Sequence, residues 1–92
     1  MTAQEKYYKY ISGLFDTSVE FERCKRKLSS LSSNDARYAD ADKACKEAER
    51  KFLNLCRTVY EEYKATNPLT EEVKALLQVM NAFHQSHYGK PY

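Results

Sequence analysis

The most constraining feature of this sequence is an unbroken heptad pattern in the middle of the chain. Apolar side chains recur there at alternating intervals of three and four residues, a spacing typical of one face of a long amphipathic helix. The stripe consists of Tyr38, Ala41, Cys45, Ala48, Phe52, Leu55 and Val59. Asn34 or Asp35 can cap the start of this helix, and Asn67-Pro68 ends it. The pattern therefore predicts a second helix over residues 35–66.

The first third of the chain carries a similar stripe with one phase slip. Its positions are Tyr7, Ile11, Leu14, Ser18, Phe21, Cys24, Leu28 and Leu31. The spacing is three residues on both sides of Phe21, which breaks the alternation of three and four. The nearby segment Thr17–Glu20 is typical of a capping box. We predict a first helix over residues 3–30 that kinks or restarts near residues 15–18, and we favour one kinked helix. The serines around Leu31 form the turn that follows.

A third, shorter helix is predicted over residues 70–88. Thr70 is a good N-cap, and Gly89 with Pro91 is typical C-terminal punctuation. The expected buried stripe is Val73, Leu76, Leu77, Met80 and Phe83.

These helices predict an all-α fold in one domain that spans residues 1–92. The short first turn makes helices 1 and 2 an antiparallel hairpin, in which facing residues have numbers that add to about 69. The third helix folds back as part of an incomplete three-helix bundle. Helix 2 would be ~46 Å long, so we expect an elongated molecule. The half of the hairpin near its turn becomes a two-helix arm. We expect a second copy or a partner to cover either this arm or the flank of helix 2 opposite helix 3.

Composition excludes several classes of protein. Only two Gly and two Pro occur, which argues against a strand-and-turn architecture. The net charge of +2 comes from interspersed charges, so no basic stripe points to nucleic acid. No segment is apolar enough for a membrane span or a secretory signal. Three widely spaced cysteines favour reduced thiols, and we expect a cytoplasmic protein.

The residue types that carry chemistry are sparse. His84 and His87 share one helix face and could bridge a metal, but the spacing marks no third ligand. Cys24 and Cys45 could face each other across the hairpin and form a redox pair. Neither a nucleophile elbow nor a Gly-rich phosphate loop occurs. We therefore expect no enzymatic activity, no cofactor and no metal site.

The function that the sequence favours is a non-enzymatic helical interaction or regulatory module, an adaptor or inhibitor that self-associates. Its predicted partner-binding residues are Tyr8, Tyr10, Arg23, Arg26, Leu28, Leu31 and Tyr38. Tyrosine is enriched at protein interfaces, yet tyrosines beside Lys and Arg could also stack on bases. A binder of a nucleotide or nucleic acid is therefore the first alternative, and a metal or redox sensor is the second.

Overall fold

The structure is a computed structural model that describes residues 2–92. Its three α-helices are α1 (Ala3–Ser29), α2 (Tyr38–Ala65) and α3 (Glu71–Tyr88). No strand occurs among the described residues, so the all-α fold predicted from the sequence is confirmed. The principal extents are 53 × 27 × 16 Å, and the radius of gyration of 15.4 Å exceeds the ~12 Å of a compact domain of this length. The molecule is elongated, as the length of the heptad pattern predicts.

The first helix is continuous through the segment where a restart was an alternative. Thr2 caps its N-terminus, because the Thr2 hydroxyl accepts a hydrogen bond from the amide of Glu5 at 3.2 Å. The Thr17 hydroxyl donates to the carbonyl of Gly13 at 2.7 Å instead of capping a new helix. A threonine that bonds back to the carbonyl four residues earlier is accommodated inside a helix at a small cost and often with a slight bend, so α1 needs no break at residues 15–18.

The second helix begins at Tyr38, three residues later than the sequence predicts. Asp35 explains the difference, because its carboxylate accepts from the backbone amide of Arg37 at 2.8 Å and also binds the Arg37 guanidinium. An aspartate that bonds to the backbone two residues ahead forms a turn in place of a first helical turn. Residues 30–37 are therefore the connection, longer than the turn expected around Leu31.

The predicted register of the hairpin is confirmed by contacts far from the turn. Glu62 accepts from Lys6 Nζ at 2.9 Å and from the Tyr7 hydroxyl at 3.4 Å, pairs whose numbers add to 68 and 69. Gly13 lies so close to Leu55 that a Cβ atom on it would be 3.0 Å from Leu55 Cδ1. Glycine thus permits close approach of α1 and α2 at this level.

The third helix runs parallel to α1 and antiparallel to α2. The Thr70 hydroxyl accepts from the amide of Val73 at 3.2 Å, as the predicted N-cap requires. Gly89 ends the helix in the left-handed conformation (φ 73°), and its amide donates to the carbonyl of Gln85. Along its length α3 passes from Tyr7 of α1 to the level of Phe21, where His87 stacks.

The core lies where all three helices meet. Its side chains with under 2% exposure are Leu14, Phe52, Cys56, Val59, Val73, Leu76 and Met80. Each large one contributes about 1.5–3 kcal/mol by leaving water. Several positions of the predicted stripes lie at the margin instead: Ile11 is exposed, and Leu55, Leu77 and Phe83 are among those that are half-buried. Conversely, His84 is buried, although no sequence pattern placed it in the core.

The arm beyond the end of α3 buries its apolar face better than we expected. Ala41 and Cys45 are buried between α1 and α2, and Ala48 is buried at the base of the arm, at the level of Phe21. Small side chains let two helices approach until little apolar surface is left open. The large exposed apolar side chains of the described chain all lie outside this arm.

Candidate protein-interaction surface

The most exposed apolar surface is a stripe along α1 that faces away from α2. Tyr8, Ile11, Phe15 and Val19 are 73%, 38%, 55% and 41% exposed. Their spacing of three, four and four residues places them on one side of the helix. We call these four residues the α1 outer face. It lies beside the buried stripe of Leu14 and Phe21, so α1 is apolar on two sides. One side is buried in the core, and the α1 outer face is exposed.

The third helix extends this surface sideways. The ring of Phe83 meets that of Phe15 edge to face, with the centroids 6.3 Å apart. A shallow groove between α1 and α3 is lined by Tyr8, Ile11 and Ala75, among others. A second hollow, near the other end, lies beside Phe83 and Val79. The apolar surface is thus two helices wide.

Charged side chains border the α1 outer face at both ends. Glu5 and Lys9 lie near its N-terminal end, and both are exposed. Near its C-terminal end, Arg23 pairs with Glu20 at 3.3 Å, and both side chains are more than half exposed. An apolar centre with a charged rim is the usual anatomy of a protein-binding surface.

A buried polar cluster joins α1 to α3 beneath this surface. Ser18 Oγ lies 2.7 Å from His87 Nε2, and Lys25 Nζ lies 2.8 Å from His87 Nδ1. The His87 side chain is only 2% exposed and stacks against Phe21 and Phe52, with ring centroids 4.8 and 5.0 Å away. Burial and the neighbouring Lys25 ammonium lower the pKa of His87, so the ring is held neutral.

This cluster resembles a serine–histidine pair but has the wrong proton arrangement for a nucleophile. An ammonium group can only donate, so His87 Nδ1 accepts from Lys25 and the neutral ring carries its proton on Nε2. That N–H donates to Ser18, whose proton His87 therefore cannot take. A general base needs a free lone pair toward the nucleophile. The cluster is suited to fastening α3 onto α1.

The two histidines do not converge on a common point. His84 Nδ1 is 2.7 Å from the carbonyl oxygen of Lys90, and its ring stacks on Tyr88 at 4.6 Å. His87 makes its bonds to α1 instead. Within residues 2–92 no group of three His, Cys, Asp or Glu side chains is arranged to hold a metal ion.

The cysteine thiols are held in their protonated form. Burial raises the pKa of Cys24 and of Cys45, and nearby carboxylates add to both shifts. The Cys24 thiol donates to Glu20 at 3.6 Å, so an acid and not the neighbouring basic residues controls it. Burial raises the pKa of Cys56 to about 12. Because the thiolate is the reactive species, these surroundings disfavour rapid thiol chemistry.

The structure separates the partner-binding residues predicted from the sequence into three groups. Tyr8 belongs to the α1 outer face, and Arg23 and Arg26 are exposed just beyond its end, around a hollow that includes Val19. Tyr10 is half-buried against the core. The other three are half-buried at the turn end of the arm: Leu28, Leu31 and Tyr38.

Sequence reasoning missed Phe15 and Val19 and placed Ile11 in the core. The signal was present, because Tyr8, Phe15 and Val19 are large apolar residues off the predicted buried stripe. They recur at intervals of seven and four, which marks a second stripe on the same helix. Only the direction from which α3 approaches decides which stripe is buried.

Comparison with known proteins gives no match, whether against protein-family models, curated proteins or solved structures. In the part of the chain that the structure describes, no helix combines the length and the apolar character needed to cross a membrane.

Proposed function

We propose that this chain is a non-enzymatic helical interaction module, an adaptor or inhibitor, which binds protein through the α1 outer face and self-associates. The observation that carries the proposal is the exposure of Tyr8, Ile11, Phe15 and Val19 in one continuous stripe. Single exposed apolar residues are normal on any protein. A contiguous stripe with a polar rim is characteristic of a surface that a partner covers.

The two aromatic residues of the stripe can contribute most to the free energy of binding at this surface. Tyr8 and Phe15 are the most exposed members of the α1 outer face. Aromatic side chains bury large areas, at about 25 cal/mol per Å² removed from water. Phe15 is also held in place by Phe83, so little freedom is lost when it is covered.

The alternative of nucleotide or nucleic-acid binding has weaker support. Three of the arginines that it would use already have acidic partners: Glu20 binds Arg23, Glu22 binds Arg26, and Asp35 binds Arg37. A phosphate group would have to compete with these carboxylates. Phosphate binding usually depends on a concentrated positive surface, which the interspersed charges do not provide.

Site-specific photo-cross-linking in cells tests the proposal. A benzoylphenylalanine replaces Phe15 in the full chain, and a matched control carries it in place of Asn54, an exposed residue of α2. We expect cross-links to protein from position 15 and few from position 54. Equal labelling from both positions, or none from position 15, would contradict binding through the α1 outer face.

A further inference from the structure

We infer that the α1 outer face is occupied by the same face of a second copy, with the two α1 helices antiparallel across a two-fold axis near Phe15. The inference rests on the proposed function, because it assigns the occupant of the same surface. It follows from the order of charges beside the stripe, the positions of the apolar residues and the place of α3.

The charges beside the two ends of the stripe are complementary when two copies run in opposite directions. Glu5 lies beside Tyr8 and Arg23 lies beside Val19, both on the side of the α1 outer face away from α3. In an antiparallel pair, Glu5 meets Arg23 of the second copy at both ends of the contact, and Asp16, which is exposed on the same side, meets the uncharged Ser12 of the second copy. In a parallel pair, this side of each α1 would lie opposite the α3 side of the other copy, so the two ion pairs would not form.

The same register matches the apolar residues of the stripe. Positions whose numbers add to about 30 face each other, so Phe15 meets Phe15 of the second copy on the axis. Ile11 then meets Val19 of the second copy on either side. Tyr8 reaches the guanidinium groups beyond Val19, where an arginine can lie over its ring. Every member of the exposed stripe thus gains a partner.

The third helix adds to the centre of this contact. Because α3 runs parallel to α1, Phe83 stands at the level of Phe15, as their ring contact shows. A two-fold axis through Phe15 therefore brings two Phe15 and two Phe83 side chains together. Central aromatic clusters of this kind supply most of the energy at protein interfaces.

The size of the surface sets the affinity range to examine. From Glu5 to Arg23, α1 is ~27 Å long, and two helices are about 20 Å wide, so each copy offers on the order of 500 Å². The total of ~1,000 Å² is at the lower end for a specific interface. A contact of one face with itself closes at two copies and does not form filaments. We therefore expect a dimer with micromolar dissociation constant.

Sedimentation equilibrium of the full chain in reducing buffer, with charge-reversal variants, tests the register. Glu5→Arg and Arg23→Glu each place like charges in contact twice per dimer, so each should weaken self-association about tenfold. An equimolar mixture of the two variants should recover it, because every contact across the heterodimer is again between opposite charges. Wild-type affinity in both single variants would overturn the antiparallel arrangement.

Variants of the apolar centre test the face itself. Phe15→Asp should give a monomer, whereas Asn54→Asp, which adds the same charge on α2, should remain dimeric. Because Phe15 touches Phe83, a melting curve must show that the variant folds. Val19→Lys changes a side chain without that contact and should also give a monomer. Unaltered self-association in both folded variants would overturn the inference.

The wild-type result separates this inference from the proposed function. A chain that stays monomeric at about 0.5 mM overturns the dimer. If position 15 still cross-links to a different protein in cells, the protein-binding part of the proposed function stands and its self-association falls. If position 15 gives no cross-link either, both fail.

Discussion

His87 shows how one residue can be fixed by contacts that its position in the sequence does not reveal. From spacing alone, His87 pairs with His84 on a fraying helix end and could bind a metal. In the structure its side chain is buried against Phe21 and bonded to Ser18 and Lys25, which all belong to α1. The whole of α2 and both connections separate these partners along the chain, so no local pattern could have predicted them.

This burial predicts a loss of stability in mild acid. Burial first, and then the positive charge of Lys25, lowers the pKa of His87, with Glu22 and Glu49 opposing and His84 adding slightly. The unfolded chain therefore takes up this proton first as the pH falls, so the contribution is complete above about pH 6.5 and is lost below it. Urea unfolding at pH 7.5 and 5.5 should show a drop in the wild type.

The matched variant for that experiment is His87→Gln, which keeps a polar side chain but cannot titrate. Its free energy of unfolding should change less between the two pH values. Glu22 and Asp35 do not confuse the comparison, because ion pairs lower the pKa of each carboxyl and they titrate in stronger acid. The same drop in the variant as in the wild type would refute a role for His87.

At the scale of elements, the sequence predicts where the helices lie, but it predicts only in part which helix each apolar face packs against. The heptad stripe of α2 and the Thr70 and Gly89 caps of α3 each arise from neighbouring residues, and the structure has them all. The start of α2 was misplaced because Asp35 can either cap a helix or form a turn with Arg37. The two apolar stripes of α1 were confused because periodicity shows that a face is apolar but not which helix covers it.

The capping of α3 gives a prediction at this scale. Thr70→Ala removes the acceptor for the amide of Val73, so it should lower the free energy of unfolding by about 1 kcal/mol. Thr2→Ala removes the equivalent bond at the start of α1. That terminal turn is exposed and its local loss should cost less. Chemical denaturation measures the free energy of unfolding of both variants. An equal loss in the two would mean that the first turn of α3 stabilises the fold no more than the exposed first turn of α1 does.

The hairpin of α1 and α2 is longer than α3, so part of it has no third helix to cover its apolar face. Small side chains let α1 and α2 close over that face by themselves. Where α3 ends near the level of Lys25, α1 and α2 continue as a pair, closed over Ala41, Cys45 and Ala48. The elongated shape and the arm follow from the sequence. The site of the exposed apolar surface does not, because the arm closes itself and the unpaired stripe lies on α1.

Close packing of the arm predicts a difference between two neighbouring alanines. Ala48 is buried in the cluster that contains Phe21 and Phe52, so Ala48→Leu should push the helices apart and cost about 1–3 kcal/mol. Ala44, one turn earlier, is exposed and borders an open groove. Ala44→Leu should therefore leave the denaturation midpoint almost unchanged. Equal destabilisation by both would show that the arm is not packed in this way.

Self-association should also be visible in the stability of the whole molecule. A dimer that forms only from folded chains draws the folding equilibrium forward, so the melting temperature rises with protein concentration. Above the dissociation constant, a tenfold increase contributes about 1.4 kcal/mol per mole of dimer, or several degrees for a domain of this length. Calorimetry from about 10 µM to 1 mM measures this rise. In Phe15→Asp the melting temperature should stay constant, since the variant removes the contact but not the core. A constant melting temperature in the wild type would mean that the α1 outer face does not meet a second copy in solution.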